Sequence, residues 1–259
     1  MNTLVETNDQ VWQELCYYAT QLPNEHDELL PGLKWGDCSQ LYTPAFWKMQ
    51  YISHKQFDDT NTIYKLGKTI LEEIVVCLLG GFGMPSELGL AAFERLKENN
   101  LIRPKVAFDH IYQALYEPFI FEGGRSVRYR FYNQKAKYLS ELLNREDLEK
   151  IPLDNDILFR KWLLTVDGIG LKTASWITRN WLNSDNVAIL DIHILRAGVL
   201  AGFYENNIEN LDKHYLSLEK KYLEFCNALD VSSSIMDAII WEFMKKNNKL
   251  ALNALKHTN

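Results

Sequence analysis

Between Val166 and Asn180 the chain reads VDGIGLKTASWITRN, and after a short gap comes AILDIHILR, ending at Arg196. Gly168 and Gly170 bracket Ile169 in a turn that only residues tolerant of positive φ make easily. The apolar residues before it (Trp162, Leu163, Leu164, Val166) and after it (Ala174, Trp176, Ile177) both recur at helical spacing. This predicts helix, tight glycine hairpin at 167–171, helix. Backbone N–H groups of such a hairpin, opening onto a helix N-terminus, form a phosphate cradle. Gly168 and Gly170 are therefore candidate contacts to a nucleic-acid backbone, held without reading its sequence.

Lys172 falls in the first turn of the second helix, where the helix dipole disfavours a cation by roughly 0.3–1 kcal/mol. The dipole and partial burial would both depress the amine pKa, and only the neutral amine is a nucleophile. Taken alone, the same lysine also reads as a solvated surface residue. Asp191 follows the apolar run Val187-Ala188-Ile189-Leu190 and precedes His193 and Arg196. It ends a buried segment and begins a helix, as an N-cap does. Capping and catalysis are compatible, because a cap carboxylate stays ionised.

Hairpin, lysine and Asp-x-His in this order and spacing resemble the helix-hairpin-helix base-excision DNA glycosylases, closest to the 8-oxoguanine DNA glycosylase/AP lyase branch. The resemblance covers residues 60–250. It implies that Lys172 attacks the sugar C1′ of a damaged nucleotide and that Asp191 stabilises the oxocarbenium-like charge and assists proton movements. It also places His193 at the DNA backbone. The implied partner is double-stranded DNA containing a damaged base, bound by a monomer. No redox cofactor and no catalytic metal are expected, although the hairpin carbonyls could hold a structural monovalent cation, as in relatives.

A formal charge of −6 argues against a nucleic-acid partner only until it is located. Residues 1–60 hold nine Asp/Glu against three Lys, so the remaining chain is neutral. Within it, Gly123 to Ser140 carries Arg125, Arg128, Arg130, Lys135 and Lys137 with no acid, interleaved by Tyr129, Phe131, Tyr132 and Tyr138. Basic residues mixed with aromatics suit phosphate contact beside an unstacked base, and equally suit a solvated helix face. Arg128, Arg130 and Lys135 are the candidate backbone contacts; the string FYNQKAKYL resembles a segment of endonuclease III relatives. Cys16, Cys38, Cys77 and Cys226 fit no metal spacing and exclude the four-cysteine iron–sulfur loop of some relatives. Free thiols and a polar, acidic N-terminus point to a cytoplasmic protein, nucleoid-associated when bound to DNA. No run of eighteen apolar residues suggests a membrane span.

The fold class expected is mainly α, as two helical lobes with a DNA-binding cleft. Helices are predicted over 65–79, 85–99, 108–116, 131–144, 156–165, 171–182, 192–203, 213–229 and 232–246. Residues 1–60 read as an acidic N-terminal segment of unassigned structure, and 61–259 as the glycosylase core. Pro31 to Tyr51 lacks periodicity, and any small sheet is expected in the first sixty residues.

Excision requires the nucleotide to be extruded into a pocket with aromatic walls. Trp176 lies one turn after Lys172, and Asp237 and Trp241 lie one turn apart in MDAIIWEF, which resembles the last helix of 8-oxoguanine glycosylases. The resemblance makes the two tryptophans the walls and Asp237 the acceptor for N–H donors of an oxidised purine. Core packing for the tryptophans, and a surface or structural role for Asp237, are the alternatives. Phe82 or Met84, in Gly80-Gly81-Phe82-Gly83-Met84, is the candidate duplex wedge; a glycine-flanked aromatic tucked into the core reads as well. The expected activity is excision of an oxidised purine, 8-oxoguanine, with strand cleavage. A glycosylase for another damaged or modified base and a catalytically silent DNA-binding module are the competing readings.

Overall fold

The computed structural model describes residues 2–57, 65–81, 83–206 and 211–257. The chain divides into two compact units, Met1–Thr62 with Asp185–Asn259, and Ile63–Ser184. Among the described residues no helix is long and apolar enough to cross a membrane.

The first unit opens with α1 (Asn2–Thr20), then a short antiparallel hairpin of β1 (Glu28–Leu30) and β2 (Leu33–Lys34), in which Glu28 faces Lys34 and Leu30 faces Leu33. Helix α2 (Pro44–Phe57) follows. The stretch read as aperiodic thus contains the start of a helix. The Thr43 hydroxyl accepts from the Phe46 N–H at 3.1 Å, and proline sits at the first helical position, where no donor is needed. Pro44 to Trp47 are all buried, so the helix start has no polar face to alternate with an apolar one. Tyr42, Phe46 and Trp47 lock edge-on around Phe243 of the same unit, with centroids 5.2–6.2 Å from that ring.

The second unit holds α3 (Ile70–Leu79), α4 (Ser86–Glu98), α5 (Phe108–Tyr116), the antiparallel pair β3 (Phe119–Ile120) and β4 (Ser126–Val127), α6 (Tyr132–Leu143), α7 (Asp156–Leu163) and α8 (Leu171–Leu182). Thr69 and Asn155 cap α3 and α7 by accepting from Glu72 and Leu158 N–H groups. One core takes residues from every one of these helices, among them Ile74, Leu79, Phe93, Ile111, Leu139, Phe159 and Ile177. The β3–β4 pair lies outside the first sixty residues, where a sheet was expected. Its two-residue strands are too short to show a period.

The first unit resumes with α9 (Ile192–Ala201), α10 (Leu211–Ala228), α11 (Ser233–Lys246) and α12 (Asn248–Leu255). Tyr215, Tyr222 and Phe225 of α10 are almost fully buried, with Phe203 stacked on Phe225 at 4.1 Å. The fold is mainly α, as the periodicity predicts, and each predicted helix is present with ends within two residues, except that the helix expected over 65–79 begins at Ile70.

Candidate active site

In the Ile63–Ser184 unit, α7 ends in a turn closed by the Ile169 N–H donating to the Val166 carbonyl at 3.1 Å. Gly168 occupies the third turn position with φ +86°, where only glycine is unstrained. A β-carbon there would stand 2.5 Å from Tyr138 Cδ2, so the α6 ring packs directly on the hairpin backbone. Gly170 differs from expectation. Its φ of −94° is open to any residue, and a β-carbon would meet nothing within 4 Å. It caps α8 without a side-chain hydrogen bond, leaving the first-turn N–H groups free of a side-chain cap and suited to an anion. Within the hairpin, the Val166 and Gly170 carbonyls accept from Ile169 and Ala174. The Asp167, Gly168 and Ile169 carbonyls accept no backbone bond among the described residues, so their hard oxygens are open to a cation.

Lys172 stands in the first turn of α8 and is exposed, not part-buried as expected. One turn on, Trp176 is half-buried, packed against the unit's core with the Arg179 guanidinium 5.9 Å from its ring centre. The hairpin is braced from behind by residues that the sequence reading did not single out. Arg145 forms a two-pronged ion pair with Asp147 at 2.8 and 2.7 Å and donates to the Thr165 carbonyl. Trp162 Nε1 donates to the same carboxylate at 2.7 Å. The Arg145 hydrogen bonds, foremost, hold the Asp147 carboxyl down to about 2. Tyr138 was visible in the basic–aromatic run, whereas nothing in the sequence ties Arg145 to Thr165.

Arg128 and Arg130 are exposed, their guanidiniums over Tyr116 and Phe131 at 5.6 and 5.2 Å. Lys135 is half-buried on α6, and burial lowers its amine pKa. Met84 is half-buried against the core, its N–H donating to the Gly81 carbonyl. Phe82 lies outside the described residues.

In the other unit, Val187–Leu190 is buried yet belongs to no sheet, so its amides need side-chain partners. Glu219 accepts from Ala188, Asp237 from Ile189 and the Tyr215 hydroxyl from Leu190. This fixes where Asp191 emerges. Asp191 caps α9 through Oδ1, accepting from His193 and Ile194 at 2.8 and 3.1 Å; Oδ2 accepts no hydrogen bond among the described residues. Asp237 is 5% exposed and holds a structural bond to Ile189, whereas Trp241, one turn on, is 38% exposed. The Lys245 amine lies 4.2 Å over the Trp241 ring, and His193 meets that ring edge-on at 6.4 Å. His193 Nδ1 is buried without a partner. Among the described residues no three His, Cys, Asp or Glu side chains gather to hold a metal ion.

Helix, glycine hairpin and helix, with a lysine in the first turn beyond the bend, make this a helix-hairpin-helix protein. A family model described as 8-oxoguanine DNA glycosylase, the Ogg-HhH family, matches residues 53–231. The 8-oxoguanine DNA glycosylase/AP lyase of Saccharolobus islandicus is 38% identical over 146 residues, 51% of this chain and 67% of its own length. That of Fusobacterium nucleatum is 32% identical over 127 residues, 43% of this chain and 56% of its own. The crystal structure of the Methanocaldococcus jannaschii 8-oxoguanine glycosylase/lyase, in complex with DNA containing 8-oxoguanine, is similar with a TM-score of 0.56 at 22% identity, covering 78% of this chain and 98% of that one. That likeness speaks to the fold. The chain belongs to the 8-oxoguanine DNA glycosylase family.

Proposed function

We infer that this protein excises 8-oxoguanine from double-stranded DNA and cuts the strand through a lysine Schiff base. The observation that carries the reading is the exposed Lys172 in the first turn of the helix that the glycine hairpin opens, in a chain of this family. The hairpin amides hold a backbone phosphate, and Arg128, Arg130, Lys135 and His193 add backbone contacts. The Lys172 amine bonds to C1′ as the glycosidic bond breaks, and the base leaves with its bonding electrons and takes up a proton. Loss of the sugar-ring oxygen bond gives the Schiff base. Removal of a C2′ proton then expels the 3′ phosphate. Asp191 stabilises the positive charge that grows on the sugar, using the oxygen its capping role leaves open. Trp176 and Trp241 are the walls for the flipped base and Asp237 its edge contact; Met84, with Phe82, is assigned to the duplex gap. The protein works as a monomer, and a monovalent cation at the hairpin carbonyls is structural.

Incubation with an 8-oxoguanine duplex and borohydride tests this. The expected product is a covalent protein–DNA adduct from the natural chain, none from Lys172→Gln, and base release slowed by at least a hundredfold in Asp191→Asn. An adduct that survives Lys172→Gln, or one formed only with other damaged bases, sinks the assignment.

A further inference from the structure

Four aromatic rings gather on the surface of the Ile63–Ser184 unit, apart from the hairpin and its lysine in sequence. Helix α5 presents Phe108, Tyr112 and Tyr116 at every fourth residue, which places them along one stripe. Their centroids are 5.6 and 5.7 Å apart, and the two tyrosines lie within 9° of parallel. Tyr132, at the start of α6, sets itself edge-on to Tyr112 and Tyr116 at 5.4 and 5.2 Å. The core-facing residues of α5 are Ile111, Ala114 and Leu115, all buried. The stripe is left half open: Phe108 is 36% and Tyr116 38% exposed.

The charge beside the rings is positive and uncompensated. The Arg128 guanidinium lies over Tyr116 at 5.6 Å, and neither Arg128 nor Arg130 pairs with a carboxylate among the described residues. Asp109, the acid of α5 next to Phe108, lies one residue on, about 100° round the helix from that ring, and Glu117, next to Tyr116, is the extended residue that ends the helix. Exposed rings beside unpaired guanidiniums are the pattern that binds nucleic-acid strands, bases on the rings and phosphates on the cations. Spacing selects the kind of strand. Bases stacked in a duplex advance about 3.4 Å per strand, whereas the α5 rings recur every 5.6–5.7 Å. Phe108 and Tyr116, the exposed rings, stand two such steps apart with Tyr112 between them, so the stripe matches bases drawn apart.

We propose that the α5–α6 ring stripe binds an unpaired nucleic-acid strand, with bases on Phe108 and Tyr116 and a phosphate on Arg128. This contact shares Arg128 with the duplex contact proposed above, and its ring half, Phe108 and Tyr116, is read by oligo(dT) binding without base excision. Fluorescence anisotropy of labelled oligo(dT) on the full chain is the test, with a lesion-free duplex as the reference. The natural chain binds oligo(dT), and Phe108→Ser with Tyr116→Ala weakens it about a hundredfold, roughly tenfold for each ring removed. Tyr116→Phe keeps the affinity, and Arg128→Gln flattens its salt dependence. Hydrogen exchange of the unaltered chain supplies a readout that needs no variant: oligo(dT) slows exchange over 108–116 and 128–132. Unchanged affinity in the double variant, or protection confined to other segments, overturns the proposal. So does a change of oligomeric state in that variant, which would assign the stripe to a second copy of the chain.

Discussion

An alanine methyl at Gly168 would be pressed between a backbone at φ +86° and the Tyr138 ring 2.5 Å away. Left-handed backbone alone costs an alanine about 1–2 kcal/mol, and the ring adds a steric cost because it is itself packed. Gly168→Ala should destabilise the chain by about 2 kcal/mol or more, read from urea unfolding. Gly170→Ala should cost less, about 1 kcal/mol or under from the poorer capping of alanine, since the site is open and its φ is ordinary. If the α8 amides hold a phosphate, the added methyl at that mouth should still weaken duplex binding. Equal loss of stability in both variants, or no loss of binding in Gly170→Ala, would contradict this division of labour. Two glycines that read alike in the sequence thus differ in the structure, one packed under a ring at positive φ and one open at an ordinary φ.

The hairpin is held in place by its neighbours. Arg145, Asp147 and Trp162 tie the start and end of the 145–165 stretch together and clamp the Thr165 carbonyl just ahead of the turn. The Asp147 carboxyl, held down to about 2 in the fold, ionises near 3.9 in an unfolded chain. A depressed folded value contributes stability above that unfolded value, and the contribution is lost as pH falls towards 2. The side chain is 40% exposed, so solvent screening limits the effect to less than about 1 kcal/mol. The stability difference between the natural chain and Asp147→Asn, from urea unfolding, should therefore shrink between about pH 5 and about pH 2. A difference that does not move with pH would mean that Asp147 acts through its shape alone. A second brace, this one buried, Glu219, Tyr215 and Asp237 on the 188–190 amides, does for Asp191 what a sheet would do for a strand end.

For the whole molecule, the net charge of −6 and the proposed DNA partner coexist because nine of the acids are confined to residues 1–60. Duplex binding should weaken steeply with salt, since each neutralised phosphate adds about 0.9 to the log–log slope. Arg130→Gln should lower that slope by about one without altering which lesion is excised. Anisotropy on lesion duplex over a salt series measures it. An unchanged slope would remove Arg130 from the interface.

Periodicity and turn chemistry were enough for the helical class, for the bend at Gly168 and for Asp191 as a cap. These are local properties, fixed by spacing along a few turns and by what one backbone position tolerates. Helix α2 was missed although Thr43-Pro44 announces it, because burial at its start erases the two-faced pattern that periodicity relies on. The exposure of Lys172, the bond from Ile189 to Asp237 and the Arg145 clamp on Thr165 were decided elsewhere. Each depends on atoms that are distant in the chain and meet only once the cores have closed. Packing, which takes its geometry from every helix of a unit at once, cannot be read from any one of them.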